Sequence, residues 1–174
     1  MKTSSTLSGF RNRSGFTMIE ILIVVVILGI LAAITLPQFS NASTVARENT
    51  LKDDLRYLRS QIVVYQAQHQ DAAPCFQNGV LGSSPAALFV QQMTQYTDIK
   101  GNCSATQTGN YVYGPYLTKM PPNPLTTDNS MNVVTGNVAF SPDDTTGWLY
   151  NPTTALIVVN STKSDSSGIA YVSY

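Results

Sequence analysis

Between Phe16 and Leu36 the chain carries one charged residue, Glu20, in 21 positions. As a helix, at ~1.5 Å per residue, that run is ~31 Å long, about the hydrocarbon thickness of a bilayer. Such a segment has to sit in lipid or against other apolar helices. Lys2, Arg11 and Arg13 precede it and no acid does, so the short leader is expected on the cytoplasmic side. A secretory signal peptide has its apolar core first and a small-residue cleavage site after it. Here the small residue, Gly15, stands before the apolar run. Cutting there would remove the basic leader and leave the whole hydrophobic segment at a new N-terminus.

Glu20 is the residue that needs explaining. A carboxylate in lipid costs a few kcal/mol unless it finds a partner. Cleavage after Gly15 would create one, the free amine of Phe16. Within one subunit the two groups are about one helical turn apart. With a small axial offset, a neighbour's amine could pair better, which would make Glu20 a device for assembly in register. The plainer alternative is a membrane anchor with one tolerated acid near its end. The string Gly15-Phe16-Thr17-Met18-Ile19-Glu20 resembles the prepilin signature of the type IV filament superfamily, the type IV pilins and the pseudopilins of type II secretion. The resemblance implies cleavage between Gly15 and Phe16 by a prepilin peptidase and N-methylation of Phe16. It also implies packing with identical or related subunits, delivered by an inner-membrane assembly platform, with Glu20 as an assembly residue.

With 174 residues the chain has room for one domain beside a membrane helix. Its formal charge of zero hides an asymmetry: beyond the leader, seven basic residues stand against ten acidic ones. No basic patch favours nucleic acid. Ser, Thr, Asn and Gln are frequent, which suits an extracytoplasmic surface. No repeat or long low-complexity linker is visible.

The helix beginning near Phe16 is expected to continue well past the membrane. Gly29 and Pro37 interrupt it, and Pro37 predicts a kink or a locally loosened helix. In filaments of the resembling family the corresponding glycine-to-proline region can lose helicity. Beyond it Leu51, Leu55, Leu58, Ile62 and Tyr65 alternate steps of four and three, a one-sided apolar stripe. Arg47, Glu48, Lys52, Asp53, Arg56 and Arg59 read as the other faces, with Glu48 and Lys52 as an i, i+4 pair. This half is expected to be the spine of a soluble head. His69 reads as a polar residue at the helix end.

Pro74 and Cys75 end the spine. Gly79 and Gly82 mark a loop, and Ser84-Pro85 reads as N-cap and first residue of a second helix through Leu88, Phe89, Met93 and Tyr96. The two cysteines, Cys75 and Cys103, both lie beyond the membrane segment. In an oxidising compartment they are expected to bridge, worth about 3.6 kcal/mol for a loop of that size. The proline-rich stretch from Tyr111 to Pro124 is neither helix interior nor central strand. It is similar to a loop of the major pseudopilins. Asn123 stands where an aspartate is common there, which puts a fixed loop geometry in doubt. A hairpin over 133–140, a strand at Ala155–Asn160 and a last strand at Ile169–Tyr174 are expected to form an antiparallel meander. The string Gly147-Trp148-Leu149-Tyr150-Asn151-Pro152 resembles pseudopilin C-termini.

No catalytic constellation appears, since the one histidine has no motif around it. Two distant cysteines make a poor zinc site. Asp143 and Asp144, beside Thr145, Thr146 and Gly147, could offer oxygen ligands to calcium, which major pseudopilins bind in a loop near their sheet. Without a spaced motif they could equally be a solvated turn.

The chain is thus expected to be an α+β, pilin-like protein: leader 1–15, transmembrane and assembly helix 16–37, extracytoplasmic head 38–174. It reads as a structural subunit of a type II secretion pseudopilus. The alternative is a type IV pilin for adhesion, motility or DNA uptake. Either would be a single-pass inner-membrane protein, N-terminus cytoplasmic and head periplasmic, extracted into a filament.

Overall fold

The computed structural model describes residues 15–174. The expected leader, with Lys2, Arg11 and Arg13, lies outside the described residues except for Gly15. The chain divides into two compact units between Ala42 and Ser43. Helix α1, Met18–Gln68, contributes to both.

In the first unit α1 is rich in isoleucine and valine, which favour strands by propensity. Lipid reverses that preference, because a helix satisfies every backbone group within its own segment. Met18–Thr35 is long and apolar enough to cross a membrane, and none of it is buried in the subunit. The helix runs without interruption through Gly29 and Pro37, so the loosening expected there does not appear as a break. A mid-helix proline removes one donor, while the flanking turns keep theirs.

In the second unit Leu51, Leu55, Leu58, Ile62 and Tyr65 are each at most 1% exposed. The same spacing carries two polar residues on that face, Glu48 one turn earlier and His69 one turn later. Both are buried. This corrects the placing of Glu48 on a solvent face. Its carboxylate accepts from Ser166 N (2.9 Å), Ser166 Oγ (2.9 Å) and Tyr171 Oη (3.2 Å). The expected Glu48–Lys52 pair is absent, and Lys52 Nζ lies 4.5 Å from the centre of the Tyr174 ring. Among the described residues the ion pair is Arg56–Asp53, exposed and 3.2 Å long, a kind that contributes little.

Left-handed Gln70 and Asp71 turn the chain after α1 (φ 56° and 63°). Strands β1 (Phe76–Gln77) and β2 (Val80–Leu81) form a hairpin. Its turn is Asn78-Gly79, both left-handed, as a two-residue turn of this hand requires. Helix α2, Pro85–Thr94, starts on proline as expected and buries Leu88, Phe89 and Met93. Tyr96 is not part of it. It opens β3 (Tyr96–Thr97), which pairs antiparallel with β4 (Cys103–Ser104).

The main sheet contains β5 (Met131–Val133), β6 (Trp148–Asn151) and β7 (Leu156–Val159), in that order. Strands β6 and β7 are antiparallel, with Trp148 opposite Val159. Strand β5 is parallel to β6, with Met131 opposite Trp148. The expected 133–140 hairpin is therefore absent. Parallel pairing needs a crossover, which no local turn signal announces. The last expected strand is also absent. A 3-10 turn, Tyr171–Ser173, takes its place, with Tyr171 buried and bonded to Glu48. The core packs the α1 stripe with Phe89, Met93, Trp148, Tyr150, Ile157 and Val159. The architecture is α+β: a long N-terminal helix and a small sheet.

Candidate functional site

The start of α1 holds the residues that carried the sequence motif. Thr17 and Glu20 cap the helix reciprocally. Thr17 Oγ1 accepts from Glu20 N (3.3 Å) and Glu20 Oε2 accepts from Thr17 N (3.4 Å). This capping box gives Thr17 N a partner, while Glu20 N is shared between Thr17 Oγ1 and Thr17 O (3.2 Å). Thr17 was missed in the sequence, although Thr-x-x-Glu ahead of an apolar run is the signal for it. The carboxylate accepts one bond here, long and exposed, so Glu20 keeps accepting capacity for a stronger partner. Phe16 is 78% exposed. Among the described residues nothing lies within 4 Å of where a side chain at Gly15 would project, and the same holds at Gly29. Packing inside the subunit therefore gives no reason for glycine at either position.

Cys75 and Cys103 do not bridge in the structure; both are free thiols. Cys75 sits in a left-handed conformation (φ 82°) with Sγ 3.2 Å from Pro85 O, whereas Cys103 Sγ lies against Gly101 O. The tie expected of a disulfide is made instead by the buried amide of Gln92. Its Oε1 accepts from Cys75 N (2.7 Å), and its Nε2 donates to Phe76 O and Gly101 O (2.8 Å each). Burial pushes the Cys75 thiol up to about 12 and the Cys103 thiol up to about 11. Neither is therefore an activated nucleophile.

His69 is not a ligand. Its ring stacks on Tyr65 at 3.8 Å. Nδ1 lies 2.8 Å from Tyr65 O, an acceptor, and so carries the proton; Nε2 accepts from Thr97 Oγ1 at 3.0 Å. Burial holds the imidazole below its ordinary range, against smaller upward effects of Tyr65 and Asp98.

Asn123, the departure from the resembling loop, fixes that loop rather than loosening it. It is fully buried. Its Oδ1 accepts from Leu125 N (2.9 Å) and its Nδ2 donates to Gly147 O (3.0 Å). An aspartate could not make the second bond. Gly147 has to be glycine, because a Cβ there would stand 2.1 Å from Asp128 O. Trp148 Nε1 donates to Pro121 O (3.0 Å) and closes the same loop.

Asp143 and Asp144 do not fit calcium. Asp143 Oδ1 accepts from Asn160 Nδ2 (2.7 Å), Thr145 Oγ1 (2.7 Å) and Thr145 N (3.1 Å). Asp144 accepts from Thr162 N (3.1 Å) and, closer still, from Thr162 Oγ1. Calcium needs six to eight oxygens turned towards one point. These two carboxylates face separate sets of donors, and among the described residues no group of three or more His, Cys, Asp or Glu side chains could hold a metal.

Residues 10–36 match the family model described as the prokaryotic N-terminal methylation motif. The chain is 34% identical over 114 residues to type II secretion system core protein G of Pseudomonas aeruginosa, covering 66% of this chain and 69% of the relative. It is 28% identical over 121 residues to core protein G of Pectobacterium carotovorum, covering 70% and 67%. The type IV major fimbrial protein FimA of Dichelobacter nodosus is 36% identical over 64 residues, covering 37% and 41%. No solved structure matches the chain.

Proposed function

The chain belongs to the type II secretion core protein G family, the major pseudopilins, and on that premise we propose how its N-terminal residues act. The protein is a structural subunit of a type II secretion pseudopilus, anchored by a single apolar helix. The observation that carries this over a type IV pilin is extent. The similarity to core protein G covers 66% of the chain, whereas that to FimA covers 37% to 41%.

A prepilin peptidase cuts between Gly15 and Phe16, and the new Phe16 amine is methylated. The open surroundings of Gly15 support this reading, since a glycine with no packing role in the subunit is free to serve an outside enzyme. The basic leader stays cytoplasmic and the head lies in the periplasm until the subunit is drawn into the filament. An inner-membrane platform delivers it there. The Glu20 carboxylate then exchanges its one long bond, from Thr17 N, for the Phe16 amine of a neighbouring subunit. A charged amine at ordinary hydrogen-bonding distance is a stronger partner for a carboxylate than a neutral amide at 3.4 Å, and only one axial offset permits it. Gly29 and Pro37 are where the helix can loosen as subunits pack. The subunit's work is mechanical, with no catalytic role of its own.

Mass spectrometry of the mature protein tests the processing step. The expected N-terminal peptide begins with N-methyl-phenylalanine at Phe16. An intact Met1 leader in assembled material would reject it.

A further inference from the structure

We propose that a clasp of side-chain amide and hydroxyl groups, centred on Asn160, does at the open end of the β6–β7 hairpin what a bound calcium ion would do, so that the head is stable without divalent cations. Asn160 is fully buried, and both ends of its side-chain amide bond across the hairpin. Its Nδ2 donates to Asp143 Oδ1 (2.7 Å) and to Thr146 Oγ1 (2.8 Å), while its Oδ1 accepts from Asp143 N (2.8 Å). The orientation of the amide is not arbitrary. The Asp143 N–H can only face Oδ1, and that turns Nδ2 onto the Asp143 carboxylate.

A metal ligand would present oxygen at that place. Asn160 presents N–H hydrogens, which carry the positive partial charge that a cation would supply. Two more donors on Asp143 come from Thr145, and Thr162 serves Asp144 in the same way from the segment after β7. The donors hold both carboxyls below their ordinary range, first Asn160 for Asp143 and first Thr162 for Asp144. Both therefore stay ionised with no cation beside them.

The clasp is continuous with the sheet. Asn160 N donates to Gly147 O (3.2 Å) just beyond the Trp148–Val159 pair. Asn123 Nδ2 reaches the same carbonyl. Two buried asparagines thus converge on Gly147 and tie the loop before β6 to the chain after β7.

The test is thermal unfolding of the full chain in detergent micelles, followed by the fluorescence of Trp148, the one tryptophan, which is fully buried in the strand next to the clasp. The parent should melt at the same temperature in chelator and in millimolar calcium. Asn160→Asp keeps the size but places an acceptor against Asp143. In chelator it should melt about 5 °C lower, the scale of one lost buried hydrogen bond in a domain of this size. A calcium-dependent rise in the parent overturns the proposal. So does an Asn160→Asp melt identical to the parent's. Should Asn160→Asp fold too poorly to melt, calorimetric titration of the parent with calcium decides: no binding heat supports the clasp, and saturable binding overturns it.

Discussion

Helix α1 has two halves with opposite fates in the subunit. Met18–Thr35 leaves every side chain exposed, although it is the more apolar half. Leu51, Leu55, Leu58, Ile62 and Tyr65 are all at most 1% exposed. Burying a large apolar side chain is worth about 1.5–3 kcal/mol. The second half therefore spends its apolar surface on folding the head. The first half keeps its surface for lipid or for other subunits. Their acids differ in the same sense. Glu48 is buried on three donors from the C-terminal segment of its own head. The Glu20 carboxylate is exposed on one long bond, from Thr17 N, at the helix start. One acid is already committed to the fold, and the other is available to a neighbour.

The largest expected effect tests the free half. Glu20→Val keeps an apolar, helix-compatible side chain, so membrane insertion and cleavage after Gly15 should persist. Filaments sheared from overproducing cells should fall to a trace or vanish, while mature-size protein remains in the membrane fraction. A normal filament yield would reject the pairing model. Loss of the protein from the membrane would show that Glu20 acts before assembly.

A matched pair of truncations sharpens the contrast next. Leu58→Ala should lower head stability by about 2–5 kcal/mol, the range for a fully buried leucine. Leu28→Ala, in the exposed half, should leave the head's denaturant midpoint unchanged. Equal losses from the two would mean that the halves do not differ as described.

Within the committed half, Gln92→Leu removes three buried bonds and leaves Cys75 N, Phe76 O and Gly101 O without their partner. At roughly 1 kcal/mol or more for each orphaned group, a loss of about 3 kcal/mol is expected in urea unfolding. The thiols are checked in the same samples. After unfolding without reductant, both Cys75 and Cys103 should be alkylated. Two unlabelled cysteines would restore the bridge expected from export, and Gln92 would then be a secondary tie.

The smallest effect is a pH slope. His69 is held neutral by burial, whereas in the unfolded chain it binds a proton below about pH 6.5. The unfolded state thus takes up more protons as the pH falls through that value. The stability His69 contributes is full above pH 6.5 and declines below it, by at most about 1.4 kcal/mol per pH unit. Urea midpoints at pH 7.5 and pH 5.5 measure it. Replacing His69 by Gln should flatten the slope over that window. An unchanged slope would place the titration elsewhere.

Much of this could be read from local patterns. The membrane run, the stripe from Leu51 to Tyr65 and the proline start of α2 each follow from composition or period within a few turns. Three further residues were legible in the same signals. The spacing of the stripe includes Glu48 and His69, and Thr17-x-x-Glu20 is a capping box. Glu48 was misread because its charge was taken as exposure, while the positional pattern was the better guide. Asn78-Gly79 is likewise a hairpin signal that passed as a loop.

What the sequence determined by itself is the division of labour: an apolar helix with one acid near its start, followed by an amphipathic helix that carries a small α+β head. Period and composition act over neighbouring residues and need no knowledge of topology. The tertiary structure alone decided how the head is fastened. The parallel β5–β6 pairing joins strands that are far apart in the chain. Gln92 stands where a disulfide was expected, and Asn160 bonds Asp143, one of the two acids read as either a calcium ligand or part of a solvated turn. Their bonds reach 9 to 17 residues along the chain, and the grip of Glu48 on Ser166 reaches 118. An amide or carboxylate in a sequence does not show which distant donor or acceptor it will meet. Only the packing of the chain brings those groups within hydrogen-bonding distance and removes the water that would otherwise satisfy them.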